Sequence, residues 1–181
     1  MKASSIMTGP TTVALPTGYY REIGRIMVYW AHIEFLLRRA THIAAGLDQK
    51  LGRVALMEPR PEGVPEHIRK VFLARHMVPP TFRKELKDEI SKLYDWRNAL
   101  AHGVWIDLPN IRYPVLQYTK GARKSLPDAP GKGVPHKVDP ISYRLTVTQL
   151  KQMADAYFRY IEIANEIISE VRTSEKASLK K

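Results

Sequence analysis

The chain has 181 residues, 44% hydrophobic and 26% charged, with a formal net charge of +11 and no cysteine. That length and balance fit one globular domain with its own core and exclude wholesale disorder or a fibrous repeat; the missing cysteine excludes disulfides, thiolate metal sites and cysteine nucleophiles. No run nears the roughly 18 apolar residues of a membrane span, and Met1 to Leu15 lacks the order of a signal peptide, so a cytoplasmic protein without a membrane partner is expected.

Residues 1–18 read as a flexible arm that orders only by packing on a neighbour. From Tyr19, the residues Ile23, Ile26, Met27, Trp30, Ile33, Leu37, Ala40, Ile43 and Ala44 recur at spacings of three and four and predict a long helix ending near Gly46. A short helix is expected around Leu51 to Met57, and an amphipathic one from Glu66 to Met77 after Pro59, Pro61 and Pro65. Thr81 is the expected N-cap of the next helix, whose row Phe82, Leu86, Ile90 and Leu93 runs through Arg97 to Ala101 and stops at Gly103.

The period then shifts towards two, with candidate strands at Val104 to Ile106, Tyr113 to Tyr118 and Ser142 to Leu145, around a Pro/Gly/Lys-rich loop from Gly121 to Pro140. Thr146 to Gln149 has capping-box spacing and opens a last helix with the stripe Leu150, Met153, Tyr157, Ile161, Ala164 and Ile168. The expected fold is all-α: an antiparallel helical bundle over 19–173, with a small irregular or β-hairpin insert at about 104–145 and a basic tail at 174–181.

The positive surplus suits polyanionic partners such as nucleic acid or an anionic membrane face, or serves solubility alone where it sits in the tail and the long loop. Lys120, Arg123, Lys124 and Arg144 form the candidate nucleic-acid patch, with a solvated loop as the plainer alternative.

Arg97-Asn98-Ala99-Leu100-Ala101-His102-Gly103 is the stretch that reads as a working site. A guanidinium on an apolar row must meet an acid, an anion or a wet cleft, because burying it unpaired is costly. Phosphodiester chemistry needs a group that exchanges protons near neutral pH and a fixed cation for phosphorane charge, which His102 and Arg97 offer. With RNA the adjacent 2′-hydroxyl is the nucleophile, so neither a metal nor a protein nucleophile is required, and no cofactor or metal site is expected. Asn98 and His102 share a helix face, whereas Arg97 and His102 point about 140° apart. Either the Arg side chain reaches round the helix end or a second copy supplies the missing half.

At these residues the chain resembles the HEPN family (higher eukaryotes and prokaryotes nucleotide-binding domain), whose mark is an Arg followed after four to six residues by a His, often with Asn directly after the Arg. Similar spacing occurs at Arg25/His32, Arg60/His67 and Arg69/His76. Asn98, Ala101, Gly103, the aromatic Trp105 and the place at a helix end set Arg97 to His102 apart. The resemblance implies a helical bundle, a symmetric homodimer with the motif helices facing each other, and metal-independent endoribonuclease activity leaving a 2′,3′-cyclic phosphate. It implies toxin–antitoxin, phage-defence or RNA-processing settings, with an antitoxin or other protein as a further partner. By position, Arg97 and His102 would be the catalytic pair and Asn98 the orienting residue.

Glu34, Asp95 and Trp105 are supporting candidates. An i,i+4 pair with Arg38 explains Glu34 equally well, a solvated Asp explains Asp95, and core packing explains Trp105. The alternative to a nuclease is a non-catalytic module of the same fold that binds nucleic acid, a nucleotide or a protein. A helical interaction protein is the third reading, favoured if Arg97 is buried against a carboxylate.

Overall fold

The apolar stripe from Ile26 to Ala44 buries one side of α1 (Thr17–Ala44), with Ile26, Ile33 and Leu37 almost fully enclosed. In the computed structural model, residues 11–12, 14–47, 64–76, 78–82, 84–108, 112–118, 126–131, 135–139 and 142–178 are described. The expected short helix at Leu51 to Met57 lies outside them. The remaining elements are β1 (Thr11–Thr12), α2 (Val64–Ala74), α3 (Lys84–His102), β2 (Val104–Asp107), β3 (Val115–Gln117), β4 (His136–Asp139), β5 (Ser142–Arg144) and α4 (Val147–Ser178).

Both ends of the long helices follow from local chemistry. Gly46 takes φ +70° and donates to the Ile43 carbonyl (2.9 Å), while Leu47 donates to the His42 carbonyl (3.0 Å), so the last carbonyls of α1 are satisfied in a Schellman motif that favours glycine. Arg75 adds a donor to the Ala44 carbonyl at 3.1 Å. At the start of α4, the Thr146 amide donates to Gln149 Oε1 (2.8 Å) and the Gln149 amide donates to Thr146 Oγ1 (3.2 Å), completing the expected capping box. Thr146→Ala is expected to cost about 1 kcal/mol, a drop of about 2–4 °C in Tm by calorimetry.

Thr81 does not cap α3, which begins at Lys84. Its amide and hydroxyl both donate to the Glu170 carboxylate, at 3.1 and 2.7 Å, and so tie the approach to α3 onto α4.

The helical arrangement corrects the antiparallel expectation for the largest packing surface. Gly18 abuts Val147, Arg25 pairs with Asp155, and Tyr29 packs edge-on to Phe158, so α1 and α4 run in the same direction. In contrast, Leu93 meets Tyr157, Glu89 meets Tyr160 and Thr81 meets Glu170, so α3 runs opposite to α4. α3 thus runs opposite to both, and the sheet joins the end of α3 to the start of α4 at one end of the bundle, beside the start of α1, as the Tyr19 hydroxyl bond to the Leu145 carbonyl shows (2.8 Å).

The chain is mostly helical, as expected, but the insert expected to be irregular or a β-hairpin is a sheet. Its five short antiparallel strands lie in the order β1-β2-β3-β5-β4, more than a hairpin or an irregular insert. Trp105, Val115, Leu116 and Tyr143 are buried, with Trp105 edge-on to Tyr19 and Tyr143 edge-on to Trp96, so the sheet closes one end of the bundle. Within the expected arm, Thr11 and Thr12 pair with Asp107 and Ile106 of the same chain.

Candidate functional site

The apolar residues of α3 set the motif at the sheet end of the bundle. Leu93, Trp96, Ala99 and Leu100 are buried, and Trp96 fixes the helix by donating its indole N–H to the Pro127 carbonyl at 2.9 Å. Asn98 is 9% exposed, and Arg97, half-buried beside it, donates from Nη1 to Asn98 Oδ1 at 2.8 Å. Arg97 Nε is buried and has no hydrogen-bond partner among the described residues. Among the described residues no carboxylate pairs with Arg97, so the arrangement that would have marked a purely structural arginine is not seen there.

His102 is exposed in the last turn of α3, and among the described residues it has no hydrogen-bond partner. Arg97 is turned to Asn98 rather than to His102, as their angular separation on one helix requires. Gly103 follows because nothing larger fits: a Cβ there would overlap Leu116 Cδ1 and lie 2.5 Å from the Ala99 carbonyl oxygen. Its φ is not positive, so the expected C-terminal stop rests on close approach to β3 rather than on a left-handed cap.

No family model, curated protein or solved structure matches this chain.

Tyr157 of α4, not foreseen as a site residue, forms the floor under the motif. It is fully buried and its hydroxyl donates to the Leu93 carbonyl, one turn before Arg97. Burial pushes its pKa well above the usual tyrosine value, and the Arg97 amide and guanidinium only partly offset this. The folded state therefore holds this proton more tightly than the unfolded chain. The resulting stability is complete below about pH 10 and is lost as pH rises beyond it. Tyr157→Phe is expected to cost about 1 kcal/mol at neutral pH and to flatten the fall of Tm between pH 9 and 11, read by circular dichroism melts.

Glu22 was also missed. It is 1% exposed and accepts from Arg21 (2.9 Å) and Arg25 (2.7 Å). The available signal was a lone acid flanked by arginines one turn before the buried Ile26.

The supporting candidates separate from the motif. Glu34 accepts from Arg38 at 2.7 Å, the plainer of its two readings. Trp105 is packed on Tyr19 and its face is not open to a base. Asp95 is half-buried and acts on Tyr157 by charge. Arg144 lies half-buried on β5, while Lys120, Arg123 and Lys124 lie outside the described residues. Among the described residues no cluster of three or more His, Asp or Glu able to hold a metal ion occurs, and none of their helices is long and apolar enough to cross a membrane.

Proposed function

We propose that this chain is a HEPN-like, metal-independent endoribonuclease of the toxin, defence or RNA-processing kind, working through Arg97 and His102 with Asn98 as the positioning residue. The observation that carries the reading is the half-buried Arg97 guanidinium, held by Asn98 and paired with no carboxylate among the described residues. The part of the guanidinium open to solvent can donate to a phosphate oxygen, and an arginine held in place stabilises developing phosphorane charge without reorganising.

In the reaction, His102 takes the proton of the 2′-hydroxyl as the 2′-oxygen bonds to phosphorus and the bond from phosphorus to the 5′-oxygen breaks. The departing 5′-oxygen takes a proton from water or from a second copy's site, leaving a 2′,3′-cyclic phosphate. A symmetric homodimer belongs to this reading, because one helix does not bring Arg97 and His102 face to face.

The test is incubation of the full chain with a labelled single-stranded RNA and with the all-deoxy strand of the same sequence, both in EDTA. Cleavage of the RNA alone is expected; cutting of both strands would contradict a 2′-hydroxyl nucleophile. The second reading, a binding module that does not cut, is favoured by the lack, among the described residues, of a group orienting His102. RNA retention without cleavage would select it.

A further inference from the structure

We infer that the outer face of α1 is a docking site for an acidic amphipathic helix of a partner protein. Tyr20, Val28 and Phe35 are 58%, 65% and 50% exposed, large values for apolar side chains in a helix whose opposite face builds the core. With Gly24 and Ala31 between them, these residues fall within an arc of about 80° and span about 22 Å. A Cβ on Gly24 would meet nothing within 4 Å, and Ala31 is exposed, so the middle of the stripe is open to a closely packed neighbour.

The stripe continues into a cavity of about 430 Å³ between the C-terminal parts of α1 and α4, where Phe35, Ile43 and Leu47 give it an apolar lining. Such a volume accepts large apolar side chains. One border is basic: Arg21 and Arg39 lie along the same edge of the stripe, and Arg38, Arg39 and Arg172 line the cavity with one carboxylate, Glu175, while Arg21 and Arg38 also pair with Glu22 and Glu34. Arg39 and Arg172 have no ion-pair partner among the described residues.

An apolar centre with one basic border matches a helix carrying leucine-like side chains on one face and carboxylates along one side of it. A second copy would set the same arginines against each other in a chain of net charge +11. RNA would find phosphate contacts but no use for the aliphatic stretch at Gly24, Val28 and Ala31, which offers no stacking surface. The inference does not rest on the ribonuclease reading, since no motif residue takes part.

The probe is a fluorescein-labelled synthetic helix of about 20 residues, with leucines along one face and glutamates beside them, compared with a scrambled peptide of the same composition. Binding to the full chain is read by anisotropy in about 0.15 M salt. The designed helix is expected to bind at least about ten-fold more tightly than the scrambled one, and Val28→Glu to remove about ten-fold of that affinity. Val28 is exposed, so the variant is expected to keep the wild-type Tm. Equal binding of the two peptides, or unchanged affinity in Val28→Glu, would overturn the inference. So would efficient disulfide pairing of Val28→Cys with itself, a clean readout because the chain has no cysteine. Weaker single-stranded RNA binding in Val28→Glu would assign the face to nucleic acid instead.

Discussion

His102→Ala is expected to lower RNA cleavage by about 100- to 10,000-fold while shifting Tm by no more than about 2 °C. The side chain is exposed and holds no partner among the described residues, so its removal costs the fold little. Arg97 makes the sharper case. Arg97→Met keeps the apolar stem and removes the buried Nε, which has no acceptor among the described residues, at the cost of the bond to Asn98. Cleavage is expected to fall about 100- to 1000-fold, with Tm unchanged within about 2 °C or raised, the signature of a group held for function rather than stability. A Tm loss above about 5 °C would mark Arg97 as structural. Rate and melting curve are measured on the same preparations.

Gly103→Ala is expected to lose stability and activity together. Its new methyl group would overlap Leu116 Cδ1 and press on the Ala99 carbonyl oxygen at 2.5 Å, and the second of these is backbone that cannot swing aside. Overpacking of this kind costs about 1–3 kcal/mol, or roughly 2–10 °C in Tm for a chain of this size. The strain falls directly after His102, so cleavage per folded molecule is also expected to drop. Gly24→Ala is the control: with open space around it in the interior of α1, it is expected to gain up to about 1 kcal/mol. Equal behaviour of the two variants would show that the contact with Leu116 does not constrain the helix end.

Helices α1, α3 and α4 were legible because each carries an uninterrupted apolar period, and the capping box at Thr146 was legible because its chemistry is local. Gly46 was legible as a stop for the same reason. Other features depend on groups distant in sequence. Thr81 looked like a cap but bonds Glu170, 89 residues away. His136 to Asp139 looked like loop because its Pro/Gly/Lys-rich setting hides a strand whose pairing is provided by β5. The parallel run of α1 and α4 follows from α3 running opposite to both, a packing in space that periodicity does not encode. At the site, the motif and its helix end were readable, and so was the rule that Arg97 needs an acid, an anion or water. That no carboxylate among the described residues meets Arg97, and that Tyr157 lies beneath it, required the packing of α3 on α4. Trp105 was open to two readings until its contact with Tyr19 placed it in the core.

The central claim is tested most directly by end-group analysis of RNA incubated in EDTA with the wild-type chain beside Arg97→Met and His102→Ala. Fragments with 2′,3′-cyclic phosphate ends from the wild type alone are the predicted result. Intact RNA in all three samples, or equal cleavage by all three, would contradict a working site at Arg97 and His102.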